Sequence, residues 1–220
     1  MNRTTKKEYI ESIRHELIES IGETYNDTYL LKWLSEANRI FLSGVPVGGE
    51  SNFEPLTYEY TKKSISTTLT SSSDTVSLDN SIREVLKVKV NGTKYTFKTF
   101  DDFDDVDSDG SYYTITTDGL LFPAALDSGA VVTVRASVWD NDILESDDDD
   151  TTFSVIRPAY EMYLKDYVVA HAKNRNEYAA TLADNYMNQF NSGILLARRE
   201  SDKIVSDDLP GVRVIEQLFC

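Results

Sequence analysis

The sequence predicts an α+β fold: a helical bundle of terminal helices with an inserted antiparallel β-sandwich or barrel-like sheet, and an extended C-terminal tail. Three observations predict it. Apolar residues recur every three to four positions up to Gly44 and again from Pro158 to Ile194. Between these stretches the helical period disappears and Thr, Ser and β-branched residues take over. Within that middle stretch, Asn91-Gly92 separates two alternating runs, the strongest short-range signal of a hairpin. The expected division is 1–50 and 153–200 for the helical domain, 51–152 for a β domain with acidic loops, and 201–220 for the tail.

In chain order, Tyr9, Ile10, Ile13, Leu17, Ile18 and Ile21 form one apolar stripe, and Gly22 ends the first helix. Asn26 or Asp27 is placed to cap a second helix, in which Leu30, Leu31, Trp33, Leu34, Ala37, Ile40 and Phe41 make a broad buried face. Gly44 and Pro46 stop it. YEYTKKSISTTLTSSSDTVSLD carries no helical stripe, and REVLKVKVNGTKYTFKTF reads as a hairpin. SYYTITT, GLLFPAA and AVVTVRASVW read as three further strands, for roughly six to eight in all. Pro158 suits the first turn of a helix carrying Tyr160, Tyr163, Leu164, Tyr167, Val168 and His171. Asn174-Arg175-Asn176 punctuates it, and Tyr178, Leu182, Tyr186, Phe190 and Ile194 recur at four-residue spacing in a last helix expected to end near Arg199. The polar segment beyond ends with Val212, Val214, Ile215, Leu218 and Phe219, an apolar tip that calls for a partner surface.

The chain has 220 residues and a formal net charge of −15. Residues 101–150 hold fourteen Asp, one Glu and one basic residue, Arg135, so nearly all of the net charge lies in this segment. A surface this acidic repels phosphate, which argues against sequence-reading DNA binding. The single cysteine, Cys220, excludes an internal disulfide framework and a cysteine metal site. No apolar run is long enough to cross a membrane, and the first sixteen residues lack the apolar core of a signal peptide.

Asp105, Asp107, Asp109 and Gly110 spell D-x-D-x-D-G, the first half of a calcium loop. The twelfth position is Thr116 rather than the bidentate Glu, and a strand rather than a helix follows. A solvated acidic loop is therefore the preferred reading, with calcium at these three aspartates as the alternative and no other cofactor expected. His15 and His171 have no nucleophile or acid at motif spacing, and no phosphate loop, nucleophile elbow or zinc motif occurs. No enzyme is expected.

Three stretches together carry a family likeness: NDTYLLKWLSEANRIFL, REVLKVKVNGTKY and VIRPAYEMYLKDYVVAHAKNRNEYAATLADNYMNQFNSGI. Their order resembles that of the head-to-tail connector proteins of tailed, especially short-tailed, bacteriophages, of the adaptor or gatekeeper type. The resemblance implies a structural virion protein, assembled in the host cytoplasm and placed at the head–tail junction. It implies a homo-oligomeric, twelve-fold ring that receives the portal protein on one side and a tail nozzle or tube protein on the other. Genomic DNA would pass through its lumen without specific binding, and no membrane partner is implied. On this resemblance Asp101, Asp102, Asp104, Asp105, Asp147, Asp148, Asp149 and Asp150 are candidates for a channel wall or an interface. Ile204, Val205, Leu209, Val212, Val214, Ile215, Leu218 and Phe219 are the candidate portal-docking tail. The alternative is an acidic calcium-binding β module on a helical stalk.

Overall fold

A computed structural model describes residues 2–17, 25–49, 53–174 and 180–207. Ile18, Ile21 and Gly22, the Arg175-Asn176 break, Tyr178 and the tail from Leu209 to Phe219 lie outside the described residues. The chain divides into two compact units, residues 1–61 with 140–220, and 62–139.

The first unit is helical. α1 (Lys6–Leu17) buries Tyr9 and Ile13. α2 (Asp27–Ser43) starts where the Asn26 side chain accepts the Tyr29 amide at 3.0 Å and stops at Gly44, whose φ of 73° and amide bond to the Phe41 carbonyl close the last turn. α4 (Pro158–Asn174) packs against α1, α2 and α5 (Ala180–Asp207), so its buried residues lie on every side of the helix. Phe41, Tyr58, Tyr160, Tyr167 and Phe190 join in one aromatic seam, with centroid distances from 5.0 to 6.5 Å. Gly193 is needed where α5 crosses α4, because a Cβ there would lie 2.4 Å from the Tyr163 ring. The last helix does not end near Arg199: it runs to Asp207, so Ile204 and Val205 belong to helical backbone rather than to an extended tail. Residues 195–207 contain no Gly or Pro to break the turn, and Glu200 is tied to Arg157 and Tyr160.

The second unit is a curled, mixed seven-stranded sheet, a half-barrel rather than a sandwich. Its strands are β1 (Lys62–Thr68), β2 (Ser73–Val76), β3 (Ile82–Val90), β4 (Thr93–Phe97), β5 (Tyr112–Thr116), β6 (Gly119–Leu126) and β7 (Val131–Val138), in the order β1-β7-β3-β4-β5-β6-β2. The β3–β4 hairpin turns on Asn91 and Gly92 at φ 49° and 83°, as two left-handed positions require. Val88, Val90, Val132, Val134 and Ala136 from the middle strands fill the inner face with Tyr113, Leu120 and Phe122. The sheet is not wholly antiparallel, since β4 and β5 pair in parallel. A parallel pair needs a crossover, and residues 98–111 supply it through the one-turn helix α3 (Phe100–Phe103).

Candidate functional site: the acidic segments

The acidic stretch folds as two separate structures, one in each unit. In the sheet unit, residues 101–109 form the β4–β5 crossover. Thr99 caps α3 by accepting the Asp102 amide, and its hydroxyl donates to the Asp102 carboxylate at 2.7 Å. Phe103 is buried beneath the turn, while Asp101, Asp102, Asp104, Asp105, Asp107 and Asp109 are exposed. Gly110 owes its identity to a close approach: a Cβ would stand 2.4 Å from the Tyr112 ring. Among the described residues no group of three His, Cys, Asp or Glu side chains is placed to hold a metal ion. Asp105, Asp107 and Asp109 are exposed on a chain closed by the Val106 to Phe103 and Gly110 to Asp107 backbone bonds.

In the helical unit, residues 140–151 form an ordered loop, although the sequence pattern had grouped them with the β domain. Asp140 is the reason. The residue is only 6 % exposed, and its carboxylate accepts five hydrogen bonds. They come from the Ser154, Val155 and Ile156 amides at 2.6, 2.6 and 3.0 Å, the Ser154 hydroxyl at 3.0 Å and Asn38 Nδ2 at 3.1 Å. Three successive amides converging on one carboxylate make an anion nest, filled here by the chain itself. Further along, Ile143 N donates to Ser35 Oγ, Arg39 pairs with Asp142 at 2.7 Å, and Glu145 accepts from the Thr28 hydroxyl.

The acid run Asp147–Asp150 sits at the start of α1. The Lys6 and Lys7 amides, which the helix itself leaves unpaired, donate to the Thr151 and Asp149 carbonyls at 2.7 and 3.1 Å. The Lys6 ammonium, 8 % exposed as a residue, donates to the Glu145 and Asp147 carbonyls and lies 3.9 Å from the Asp149 carboxylate. Backbone carbonyls and carboxylates thus gather at the positive end of the helix dipole. The loop and neighbouring residues border a polar cleft of about 480 Å³, lined by Asp140, Asp142, Asp147, Asp148 and Ser154 among others.

A second buried ionic cluster anchors the N-terminus. Arg3 donates to the Phe153, Ser154 and Ile156 carbonyls at 2.6 to 2.8 Å and pairs with Glu161 at 3.2 Å. Glu161, 1 % exposed, also accepts the Thr4 amide at 2.6 Å. At the other end of α4, His171 packs between the rings of Trp33 and Tyr167, at 6.0 and 4.3 Å. Near the start of α4, Glu200 accepts from both Arg157 and the Tyr160 hydroxyl. Burial and the Glu200 carboxylate push that hydroxyl up to about 12.

Sequence reasoning named Asp147–Asp150 but missed Asp140, Glu161, Arg3, Lys6 and Glu200. Nothing in their spacing separates them from solvated charges. Pro158 carried the one usable signal, since a helix starting there places Glu161 in its first turn, where an acid is favoured. Of the candidate docking residues, Ile204 and Val205 fall in the last turns of α5, and the other six lie beyond the described residues. No helix among the described residues is long and apolar enough to cross a membrane.

The described residues thus form an α+β protein with exposed acidic loops, ionic anchors and an aromatic helix seam. The chain matches the SU10 adaptor protein family over residues 4–211 and belongs to that family, which is one of phage adaptors. A search of curated proteins returns no match.

Proposed function

We propose that this protein is the connector between the portal vertex and the tail of a short-tailed phage virion. It forms a homo-oligomeric ring, twelve-fold by resemblance, that binds the portal protein on one side and a tail nozzle or tube protein on the other. The genome passes through the ring without sequence-specific contact, both as the head retains it and as it is ejected. The family match over nearly the whole chain carries this reading.

The C-terminal segment from Ile204 to Phe219 is the portal-docking element. α5 supports this role. Arg157 and Tyr160 hold Glu200 at the start of the antiparallel α4, so the seven residues that follow carry the helix about 10 Å past that point. The apolar tip, with Val212, Val214, Ile215, Leu218 and Phe219, then supplies the apolar contact to the partner surface. The aspartates of residues 101–109 and 147–150, exposed except for the half-buried Asp147, face the channel or a neighbouring subunit.

Light scattering of the purified protein, alone and mixed with the portal of its own genome, tests the proposal. A stoichiometric ring on the portal is expected; a protein indifferent to the portal rules the connector reading out. Deleting residues 205–220 is expected to leave a folded protein that no longer joins portals, and a truncated chain that assembles normally would remove the tail from the mechanism.

A further inference from the structure

The sheet of this acidic protein has a cationic face. In the β3–β7 register Val88 lies opposite Val134 and Val90 opposite Val132, all four buried in the inner core. Strand alternation therefore turns Lys87, Lys89, Thr133 and Arg135 to the outer face. The β3–β4 register adds Lys94, opposite Lys89 and one residue from the inward Tyr95. The face thus carries two like-charge cross-strand pairs, Lys87 opposite Arg135 and Lys89 opposite Lys94.

Such pairs repel, and a sheet normally relieves the repulsion with an acid opposite or diagonal to the cation. The register places Glu84, opposite Ser137, diagonal to Arg135 at one end of this face, and no acid opposite or diagonal to the Lys89–Lys94 pair at the other, in a chain with 37 acidic residues. Among the described residues none of the four cations forms an ion pair. Lys87, Lys94 and Arg135 are exposed and Lys89 is half-buried. The acidic crossover shows the converse. Six aspartates within residues 101–109 stand exposed, and none has a cation partner among the described residues.

We propose that the outer face of β7, β3 and β4, carrying Arg135, Lys87, Lys89 and Lys94, docks the Asp101–Asp109 segment of a second copy of this chain. Charge complementarity selects that occupant: a dense, exposed run of carboxylates is built into every copy, while a nucleic acid must approach a molecule of net charge −15. Two different, complementary patches give a head-to-tail contact, the kind that closes into a ring when its rotation permits. The inference rests on the ring reading and supplies it with a contact between subunits.

Light scattering on the full chain tests it. At about 0.01 M salt the average mass is expected to rise with protein concentration. At about 1 M salt, where the screening length falls from roughly 30 Å to roughly 3 Å, it is expected to return to that of a single chain. The Lys87→Glu/Lys89→Glu/Arg135→Glu variant and the Asp101→Lys/Asp104→Lys/Asp105→Lys variant each stay single, and their equimolar mixture associates. Circular dichroism checks that both are folded. Should either unfold, Lys87→Gln/Lys89→Gln is expected to weaken association roughly tenfold.

Three results would overturn the proposal: a wild-type chain that stays single at low salt, association that survives both reversals, or a loss that mixing does not restore. Duplex DNA bound by the wild type and released by Lys87→Gln/Lys89→Gln, without self-association, would give the face to nucleic acid and overturn it too. The ring reading fails separately, since charge-reversed protein that still forms rings on the portal keeps the ring and removes only this contact.

Discussion

Asp140 and Asp166 are both buried carboxylates, and their surroundings give them opposite effects on stability. Asp140 has five donors, and Asp140→Ala would leave the amides of Val155 and Ile156 buried without an acceptor. The expected cost is about 3–5 kcal/mol, read as a lower urea midpoint. Asp166, 5 % exposed, is pushed up to about 6, first by burial and then by the nearby Glu16 carboxylate, with Lys165 opposing. Its folded value lies above the unfolded 3.8, so the folded state holds this proton more tightly. The stability it contributes is complete below pH 3.8 and is lost as pH rises through about 6. Asp166→Asn is therefore expected to stabilise the protein by about 1 kcal/mol at pH 7.5 and by nothing near pH 4, measured by denaturation at the two pH values. Neither residue was legible in the sequence. Asp140 reads like the fourteen other acids of its segment, because its donors arrive from Asn38 and from residues 154–156, which only folding brings together.

Elements whose signal is local were legible. Asn26 and Gly44 bound α2, and Asn91-Gly92 turns β3 into β4, because capping and left-handed turns depend on a few adjacent residues. The parallel β4–β5 pair was not, since strand direction depends on where the crossover returns the chain and not on the strands themselves. The acidic motif within that crossover read as a solvated loop, and the close approach of Gly110 to the Tyr112 ring gives that glycine a local packing reason. The end of α5 was placed too early: polar SDKIVSD has no apolar stripe, but a helix anchored at Glu200 needs only the absence of a breaker to continue. The α4–α5 crossing makes a further prediction. Gly193→Ala puts a methyl group against the Tyr163 ring, and the overpacking is expected to cost about 1–3 kcal/mol, seen as a lower melting midpoint. An unchanged midpoint would mean that the ring swings aside freely.

For the whole molecule, the concentration of charge in residues 101–150 was plain from composition, but its division was not. The run belongs to two compact units, ordered in one by Asp140 and Lys6 and in the other by α3. The cationic outer face was equally hidden, because Arg135 and Lys87 are far apart in sequence and meet only through the β3–β7 register. That register belongs to a sheet with a distinctive entrance. β1 and β7 are neighbours, and Lys62 stands opposite Ser137, so the chain enters and leaves the sheet unit through adjacent residues about 5 Å apart. A segment with such a narrow doorway behaves as a cassette. It can lengthen, shrink or be exchanged for another β module with the same gap, while the chain on either side is neither stretched nor slackened.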